Sequence, residues 1–496
     1  MRNNKIQNVH PRAFSGLKFD LIYIHLQGDG KTAIPFHSLH NLKSLRTVIL
    51  VNFALHYMDN SVSFHLLPNL RHLSLINMGT TFFSSYTFDS NANRLTEFQF
   101  RDNPKVSTFP VGAMKNLFYV QKLVWTGNEM TVIPAHAFRD LAHLLELDIS
   151  KNELNKIETH SFSGVTEHIR QLNLSRNKLT AVSILEEFSR TQWIALQHLN
   201  LSDNNINHLE EAIFKKMEKL IHLDLSSNGL TSISASNFQH LHNLQKLDLS
   251  RNSLHSVDIK AFTWTRSLNV LDLQRQATDR KPTDFTNAHD NSIKLNIKKI
   301  NLSHTRLIDS NFWQFLQRVP VLKHLHAAHS GLSMLMPGGF RQTKLTHISL
   351  QNNYIYELFP ETFSGLEDSL EILNLKSNRL SKIDERVFKN LRSLKVIDLS
   401  LNQIECNCTM QWFWEWLKLN STADSVLGHS SHRYNLKCSN FYENGDINFE
   451  TAMSDLECEN DTRRINVNVT STPLISVDKQ QSFNWVCIYK KAIAKD

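Results

Sequence analysis

The sequence predicts an α/β solenoid: a horseshoe that carries a parallel sheet on its concave face and ends in a disulfide-bonded C-terminal cap. Three observations lead to this prediction. A leucine pattern recurs along most of the 496 residues, an Asn follows it in most copies, and all five cysteines come after the last copy. A chain of this length exceeds what one hydrophobic core normally serves, so repeats or several domains are expected.

The repeated pattern is L-x-x-L-x-L-x-x-N, with sixteen copies over residues 21–403 at steps of almost always 23 to 27 residues. This period is typical of leucine-rich repeats. Side chains alternate along a strand, so the leucines should enter the core while the residues between them point out of the concave sheet. Residues 1–20 match the second half of one more repeat, which we interpret as truncated. The copies start at Leu21, Leu45, Leu70, Leu95, Val120, Leu144, Ile169, Leu196, Leu220, Leu244, Leu268, Ile297, Leu322, Leu345, Leu370 and Leu394.

Two further columns complete the repeat. An Asn in the turn after each strand should satisfy backbone groups of its own turn and of the neighbouring coil. An aromatic residue late in the unit should stack on its counterparts as a core spine, because one repeat cannot bury it alone. The Asn column comprises Asn103, Asn128, Asn152, Asn177, Asn204, Asn228, Asn252, Asn353, Asn378 and Asn402. The aromatic column comprises Phe138, Phe162, Phe214, Phe238, Phe262, Phe340, Phe363 and Phe388.

The Asn column is interrupted at two places along the chain. The residues in its position are Asp29, Phe53 and Met78 in the first copies and Gln276, Thr305 and Ser330 later. The step from Leu268 to Ile297 also grows to 29 residues through the polar stretch 276–296, where we expect a small loop to leave the solenoid. Broken repeats of this kind indicate either a binding or bending site, or ordinary drift of the repeat.

The last copy leads directly into residues 404–459, which are rich in cysteine and tryptophan. Cys406 and Cys408 precede an aromatic segment in which Trp412 and Trp416 stand four apart, so a helix would place both against the open end of the solenoid. Clustered cysteines predict a local disulfide module, but the sequence leaves three pairings open. Zinc is the alternative, although zinc sites generally use C-x2-C spacing and a secreted context favours disulfides.

These repeats and this cysteine pattern resemble animal extracellular leucine-rich-repeat proteins with a C-terminal cysteine-rich flanking domain. The resemblance covers residues 1 to about 460 and is closest to Toll-like receptor ectodomains; chaoptin-like adhesion proteins and acid-labile-subunit-like proteins are also similar. It implies disulfides from Cys406 to Cys438 and from Cys408 to Cys458. We expect that a leader and an N-terminal cap are missing from this chain, and that it encodes no membrane attachment and no signalling domain.

Residues 460–496 form a tail after the cap. Its fifth cysteine, Cys487, lies in an alternating segment that is typical of a strand. We interpret the tail either as the start of a truncated immunoglobulin-like domain or as a disordered end of an incomplete gene model. A free thiol would be a liability in a secreted protein.

Seven N-x-S/T sequons are consistent with an extracellular or cell-surface protein. Three of them arise inside the repeat's own L-N-L-S pattern and could be accidental; if they carry sugars, a ligand would have to use a side of the horseshoe. The three that lie beyond the solenoid and its cysteine pair are the stronger candidates. In chain order the sequons are Asn173, Asn200 and Asn301 within the pattern, then Asn407, and then Asn420, Asn460 and Asn468.

The outward positions of several strands are basic or histidine-rich and form a candidate ligand face. Histidines become charged below about pH 6.5, so acidification would make this face strongly cationic and suited to nucleic acid or sulfated glycan. A net charge of +7 favours anionic partners weakly. Against this hypothesis, four Asp share the sheet and exposed His is common in such repeats. The candidate face comprises His198, His222, Lys246, Arg275, Lys298, Lys299, Lys323, His324, His326, His329 and His347, and the opposing residues are Asp148, Asp224, Asp248 and Asp272.

No phosphate-binding loop, H-E-x-x-H motif or nucleophile elbow occurs, so we expect neither an enzyme nor a cofactor or metal. The leading hypothesis is a recognition ectodomain, at the cell surface or in an endosome, that binds a protein ligand or co-receptor and could form a homodimer through its lateral face. The alternatives are an adhesion or matrix-scaffold protein that binds a protein partner, and a secreted glycosaminoglycan binder. The solenoid is common to all three.

Overall fold

The predicted leucine-rich-repeat solenoid is confirmed by a computed structural model of the chain. The model has two compact units, residues 1–296 and residues 297–496. Parallel strands in each unit follow the leucine pattern. The structure describes residues 6–7, 9–39, 42–58, 67–85, 87–88, 94–211, 213–277, 281–420, 437–438, 447–448, 452–453, 456–460 and 485–489.

The described part of the first unit contributes eleven strands to its main sheet, one for each repeat. Each strand begins two residues after a predicted start, and neighbours pair in register, as Leu147, Leu172 and Leu199 do. These leucines are buried, while the residues on either side of them point out of the opposite face. The strands are Tyr23–Gln27, Thr47–Val51, His72–Ile76, Glu97–Arg101, Lys122–Thr126, Glu146–Asp148, Gln171–Asn173, His198–Asn200, His222–Asp224, Lys246–Asp248 and Val270–Asp272.

The return half of each repeat in this unit consists of short elements. Parallel pairs join Tyr57–Met58 to Phe82–Phe83 and Val132–Ile133 to Lys156–Ile157, and Ser256–Asp258 lies between Ser232–Ile233 and Asp284–Thr286. A capping box starts the longest helix, because Thr180 and Ser183 exchange side-chain to backbone hydrogen bonds. The helices are Phe36–Leu39, Val111–Met114 and Ala181–Arg190, with 3-10 turns at Ser15–Leu17 and Ile259–Phe262.

In the described part of the second unit the main sheet has five strands. Helix Asp309–Leu316 and helix Glu385–Phe388 belong to its repeats, and the 3-10 turn Cys408–Met410 leads into helix Gln411–Asn420 of the cap. Antiparallel pairs join Lys437–Cys438 to Ile447–Asn448 and Leu456–Asn460 to Trp485–Tyr489. The tail thus contributes a strand beside the cap, with Cys487 opposite Cys458. The main-sheet strands are Lys299–Asn301, His324–His326, His347–Ser349, Ile372–Asn374 and Val396–Asp398.

The Asn column links each repeat to the one before it. The amide nitrogen of Asn177 donates to the carbonyl oxygens of Ile149 at 3.1 Å and Leu174 at 2.9 Å, and its amide oxygen accepts from the backbone N–H of Leu154 at 3.1 Å. One side chain therefore satisfies backbone groups in two consecutive turns. The residue before it, Arg176, has φ +54°, and its counterparts in most repeats share this left-handed conformation.

One of the two apparent breaks in the Asn column is not a break in the hydrogen bonding. The amide of Gln276 donates to Leu249 O at 2.9 Å and Leu273 O at 3.0 Å, and accepts from Leu254 N at 3.1 Å. The longer side chain therefore forms the same set of bonds as an Asn. Ser330 replaces part of it by donating to Leu302 O at 2.8 Å.

The long repeat at 276–296 corrects our expectation of a loop that leaves the solenoid. Strand Asp284–Thr286 pairs with Ser256–Asp258, and Phe285, Ile293 and Leu295 are buried. The extra residues therefore pack into the core of the first unit, because three apolar side chains lie among the polar ones. Residues 278–280 lie outside the described part.

An aromatic spine fills the core of both units. Ring centroids lie 5.4 Å apart between Phe138 and Phe162, and 6.0 Å apart between Phe363 and Phe388. In the repeat that starts at Ile169, Trp193 follows Phe162 in the spine, and the centroids of their rings lie 5.1 Å apart. Stacking from repeat to repeat buries rings that a single repeat would leave exposed.

Candidate functional site

The first cluster comprises His198, His222 and Lys246, which are register partners on three adjacent strands of the first unit. The two imidazole rings are 4.6 Å apart between centroids and nearly perpendicular. The cluster lines an open trough of about 450 Å³ whose floor includes Leu172 and Leu199. Polar and apolar side chains line the trough in similar measure.

Carboxylates stand next to the first cluster in the last position of two of its three strands. Asp224 accepts a hydrogen bond from Ser226 N at 2.9 Å, and Asp248 accepts one from Ser250 N at 3.0 Å. These Asp side chains form turns that close the strands, so their primary role is structural. Their negative charges nevertheless line the same trough, which is therefore of mixed charge.

The second cluster comprises Lys299, His324, His326 and His347, on three adjacent strands of the second unit. His324 and His347 are register partners with ring centroids 4.5 Å apart and a 42° angle between the rings. His347 Nδ1 lies 2.8 Å from the hydroxyl of Thr346. Four basic or titratable side chains thus share a small area of sheet.

The second cluster differs from the first in its acidic neighbours. The last position of successive strands holds Asn301, His326, Ser349 and Asn374, so in the described part of the second unit a carboxylate first appears there at Asp398. Glu371 lies near the cluster, but its carboxylate pairs with the Lys395 ammonium at 3.0 Å. The second cluster is therefore the more strongly cationic of the two.

Three histidines of the clusters have a lowered pKa. Burial disfavours the charged imidazolium of His222, and His198 and Lys246 repel it further. Burial likewise lowers the pKa of His324 and His326, with repulsion from His347 and Lys299. The expectation that the whole face becomes charged as the pH falls below 6.5 is therefore too simple, since these three take up protons at lower pH.

Four of the predicted face residues lie just outside their strands. Arg275 and His329 occupy the left-handed turns after their strands, with φ +55° and +53°, and the His329 ring stacks on His304 at 4.4 Å. Lys298 and Lys323 precede their strands and are exposed. Sequence spacing alone missed this distinction, because a turn residue directly follows a strand in the pattern.

The predicted sequons occupy three kinds of position. Asn173 and Asn200 line the trough, and their side-chain oxygens accept the backbone N–H of the residue two positions on, as does that of Asn301. Asn407 accepts from Thr409 N at 3.0 Å at the start of the cap helix. The side chains of Asn420 and Asn460, and all of Asn468, lie outside the described part.

The cap contains a disulfide between Cys406 and Cys438, with Cα atoms 5.4 Å apart. Cys408 is also disulfide-bonded, and the side chain of Cys458, its predicted partner, lies outside the described part. The Trp412 ring stacks on Phe388 at 5.6 Å and so extends the aromatic spine into the cap. The side chain of Trp416 lies outside the described part as well.

Sequence reasoning missed a set of exposed apolar side chains in two neighbouring repeats of the second unit. Tyr354 and Tyr356 are each 52% exposed, and Met334 and Met336 in the preceding repeat are 40% and 45% exposed. The Arg379 guanidinium lies 4.5 Å from the centre of the Tyr354 ring. These positions follow no period, so only their exposure reveals them. We call these five residues the flank patch.

Two negative findings concern the described residues only. None of the helices described is long and apolar enough to cross a bilayer. Among the same residues, no group of three or more His, Cys, Asp or Glu has the spacing of a metal site.

A family model described as leucine rich repeat matches the chain at residues 119–183, 194–254, 343–404 and 368–419. Human Toll-like receptor 3 is 32% identical over 148 residues, which are 28% of this chain and 16% of that receptor. Bovine prolargin is 40% identical over 63 residues, 13% of this chain and 16% of prolargin. The chain therefore spans less than two thirds of the length of either relative.

Solved structures show the same fold at low identity. A leucine-rich-repeat protein of Leptospira interrogans has a TM-score of 0.56 at 20% identity, covering 85% of this chain and 99% of that one. The structure of the mouse RP105/MD-1 complex has a TM-score of 0.52 at 21% identity and covers 87% of this chain and 82% of that one. The structure of the TLR13–ssRNA13 complex has a TM-score of 0.50 at 20% identity and covers 88% of this chain and 82% of that one.

The in-register parallel strands, the Asn column and the matched repeats define the class of fold: this chain folds as a leucine-rich-repeat solenoid. Within that class, its repeats and its disulfide-bonded C-terminal cap resemble the ectodomain of a Toll-like receptor.

Proposed function

We propose that this ectodomain-like chain binds a macromolecular ligand outside the cell or in the lumen of an endosome, and that it does not catalyse a reaction. Its ligand at the second cluster is an anionic polymer. The observation that carries this proposal is the set of basic side chains around His324, His326 and His347, with no unpaired carboxylate among the described strand positions beside them. Exposed Lys298, Lys299 and Lys323 would contact phosphate or sulfate groups directly.

The second cluster suits an anion better than the first because of its neighbours. In the first cluster, Asp224 and Asp248 stand beside His222 and Lys246 and would repel a polyanion from the same trough. Sugars on Asn173 or Asn200, if present, would also fill that trough. The first objection does not apply to the second cluster. The second one does, because the sequon Asn301 is the register partner of His326.

Binding should strengthen as the pH falls, and the sign follows from the lowered pKa values. Burial, and then repulsion by neighbouring cations, disfavours the imidazolium forms of His324 and His326 in the free protein. A bound phosphate or sulfate replaces that repulsion with attraction, so the pKa values rise on binding and protons are taken up. The complex is then tighter at the lower pH.

Two of the solved structures that share this fold are complexes with a ligand or partner. The structure of TLR13 is that of a complex with ssRNA13, and that of RP105 is a complex with MD-1. These ligands belong to those proteins, and the likeness to them shows the fold alone. They make nucleic acid and protein reasonable probes for this chain.

The test is retention of the secreted, glycosylated chain on immobilised heparin and on double-stranded nucleic acid at pH 5.5 and pH 7.4, over a salt series. We expect binding at pH 5.5 that weakens steeply with salt, and a lower slope of log K against log salt in the H324Q/H326Q/H347Q variant. The matched control is H198Q/H222Q in the first cluster, which should retain binding.

Three results would overturn the proposal. Absence of binding to both polymers at both pH values removes the anionic ligand. Equal losses in the two variants show that the charge is diffuse rather than located at the second cluster. Retention that does not change between the two pH values excludes a role for the histidines. Preference for heparin over nucleic acid would identify a glycosaminoglycan binder, which is the alternative within the same chemistry.

A protein partner on the flank patch is the second candidate function. Exposed Tyr, Met and Arg side chains are enriched at protein interfaces, and Arg379 already orders Tyr354 by stacking on it. A homodimer, a co-receptor and an adhesion partner would all use such a surface. Sedimentation of the wild type and of Y354S/Y356S tests the homodimer: a dimer that the substitutions dissociate supports it, and a monomer in both cases removes it.

A further inference from the structure

We propose that His324 and His347 form a two-histidine site for a divalent transition-metal ion such as Zn²⁺, Ni²⁺ or Cu²⁺. The two residues belong to different repeats and meet only because their strands pair in register. Sequence motifs for metals could not reveal such a pair, since its ligands are 23 positions apart. The inference concerns the neutral form of the second cluster and does not depend on anion binding.

A hydrogen bond to Thr346 orients the His347 ring. The Thr346 hydroxyl oxygen lies 2.8 Å from Nδ1 of His347 and 3.1 Å from the carbonyl oxygen of Lys323, which also accepts the backbone N–H groups of Thr346 and His347. The hydroxyl can therefore either donate to Nδ1 or accept from Nδ1–H. In the tautomer that carries its proton on Nδ1, this nitrogen donates to Thr346 and the lone pair on Nε2 is available to a ligand.

This arrangement is the one that metal-binding histidines usually adopt. One ring nitrogen coordinates the ion while the other donates to a fixed oxygen, which orients the ring and raises its basicity. Here the fixed oxygen is the Thr346 hydroxyl, and the backbone carbonyl of Lys323 holds that hydroxyl in turn. The support for His347 is therefore already assembled in the metal-free chain.

The separation of the two rings fits coordination at adjacent positions. An imidazole nitrogen binds these ions at about 2.0–2.1 Å, and the ring centre lies about 1.1 Å behind it, so the ion is roughly 3.2 Å from each centre. Two such ligands at a right angle place their ring centres about 4.5 Å apart, and a tetrahedral angle places them about 5.2 Å apart. The observed separation between His324 and His347 is 4.5 Å, with the rings tilted by 42°.

A second histidine pair provides a contrast. The rings of His304 and His329 are equally close, at 4.4 Å, but lie within 12° of parallel. Two stacked rings direct their nitrogen lone pairs side by side rather than toward a common point. Proximity alone therefore does not make a site, and this pair serves as the matched control.

The charges around the site set its affinity and its pH dependence. Lys299, Lys323 and His326 face it and oppose a cation, while Glu371 is the nearby carboxylate and is paired with Lys395. The described residues supply two ligands, so water completes the coordination and binding is moderate. Protons compete for the same nitrogens, so metal is released as the pH falls.

The experiment is calorimetric titration of the purified full chain with ZnCl2 and NiCl2 at pH 7.4, with Cu²⁺ electron paramagnetic resonance to count nitrogen ligands. We expect H324Q and H347Q each to weaken the tightest site at least tenfold and to remove one nitrogen from the copper spectrum. Thr346→Val should weaken it about tenfold, since it removes the hydrogen bond that orients His347. The control H304Q/H329Q should bind as the wild type does.

Titration curves that H324Q and H347Q leave unchanged in affinity and stoichiometry would overturn the inference. So would a copper spectrum with the same nitrogen count in those variants as in the wild type, and so would metal binding that does not weaken at pH 5.5. Thr346→Val also separates the two proposals: it keeps every positive charge, so it should reduce metal affinity but leave heparin retention intact. If Thr346→Val reduced heparin retention but left metal affinity unchanged, the metal site would be rejected.

Discussion

Three histidines, His222, His324 and His326, make the folding stability of the chain depend on pH. Each has a pKa below its ordinary value of 6.5 because of burial and nearby cations. The unfolded chain therefore takes up protons on them first, so their contribution to stability is complete above pH 6.5 and declines from there toward the lowered pKa values. We expect the melting temperature of H222Q/H324Q/H326Q to fall less between pH 7.4 and pH 5.0 than that of the wild type. Equal falls, by calorimetry, would contradict this.

Glu187 is a buried carboxylate with a structural function. It is 2% exposed and accepts backbone hydrogen bonds from His160 at 2.7 Å and Phe162 at 3.2 Å in the preceding repeat. Glu187→Ala leaves both N–H groups without an acceptor, so we expect a loss of about 2–3 kcal/mol in unfolding free energy. Glu187→Gln keeps one acceptor and should lose less. Urea denaturation, with hydrogen exchange of residues 158–165, measures both; equal losses would argue for packing instead.

At the level of repeated elements, the Asn column should carry more stability than its surface neighbours. Asn177→Ala would leave Leu154 N unpaired in a buried turn and would remove one of the two side-chain donors to Ile149 O, so we expect a loss of about 1–3 kcal/mol. The control is Asn205→Ala at an exposed position, which should change stability by less than about 0.5 kcal/mol. Urea denaturation compares them. A similar effect of the two substitutions would mean that the column is not the connection between repeats.

The strands could be predicted from the sequence because their signal is local and repeats many times. Every described main-sheet strand begins two residues after a predicted start, since the leucine pattern determines which of its side chains are buried. Gln276 was misread as a break, because the pattern records residue type and not the reach of a side chain. Arg275 and His329 lie in left-handed turns after their strands, a conformation that a spacing does not reveal.

The candidate site was less predictable than the fold. Its histidines could be named from their strand positions, but the lowered pKa of His324 depends on burial and on Lys299 in the neighbouring repeat. The flank patch was missed because Tyr354 and Met334 occupy irregular coil, where no period distinguishes exposed from buried side chains. A pKa or an exposed surface that depends on contacts between repeats therefore cannot be predicted from the spacing of the pattern.

At the scale of the whole molecule, the cap should determine how well the C-terminal end of the solenoid is protected. The Cys406–Cys438 disulfide closes a sequence separation of 32 residues. On the loop-entropy model it stabilises the cap by about 3–4 kcal/mol. We expect C406S/C438S to increase proteolysis and hydrogen exchange around Phe388 and Ile404. Unchanged protection there would show that the aromatic contact between Phe388 and Trp412 closes the end without the disulfide.

Damage within a solenoid should remain local. Each repeat contacts mainly its neighbours, so stability is approximately a sum of repeat and interface contributions. We expect Asn177→Ala to raise hydrogen exchange in residues 145–205 and to leave residues 345–400 as in the wild type. Exchange that rises equally in both ranges would instead indicate a single cooperative core.

The Asn column has a direction, and this matters for a chain that emerges from the ribosome one repeat at a time. Asn177 completes the bonds of Leu154, Asn204 those of Leu179 and Asn402 those of Leu380, so each repeat is completed by its successor. The newest repeat on a nascent chain therefore still lacks these hydrogen bonds. They form when the next repeat has been synthesised and has folded against it. During a pause in translation, the backbone N–H groups of the last repeat would remain without their acceptors. Only the folding of the cap would cover the C-terminal end of the solenoid.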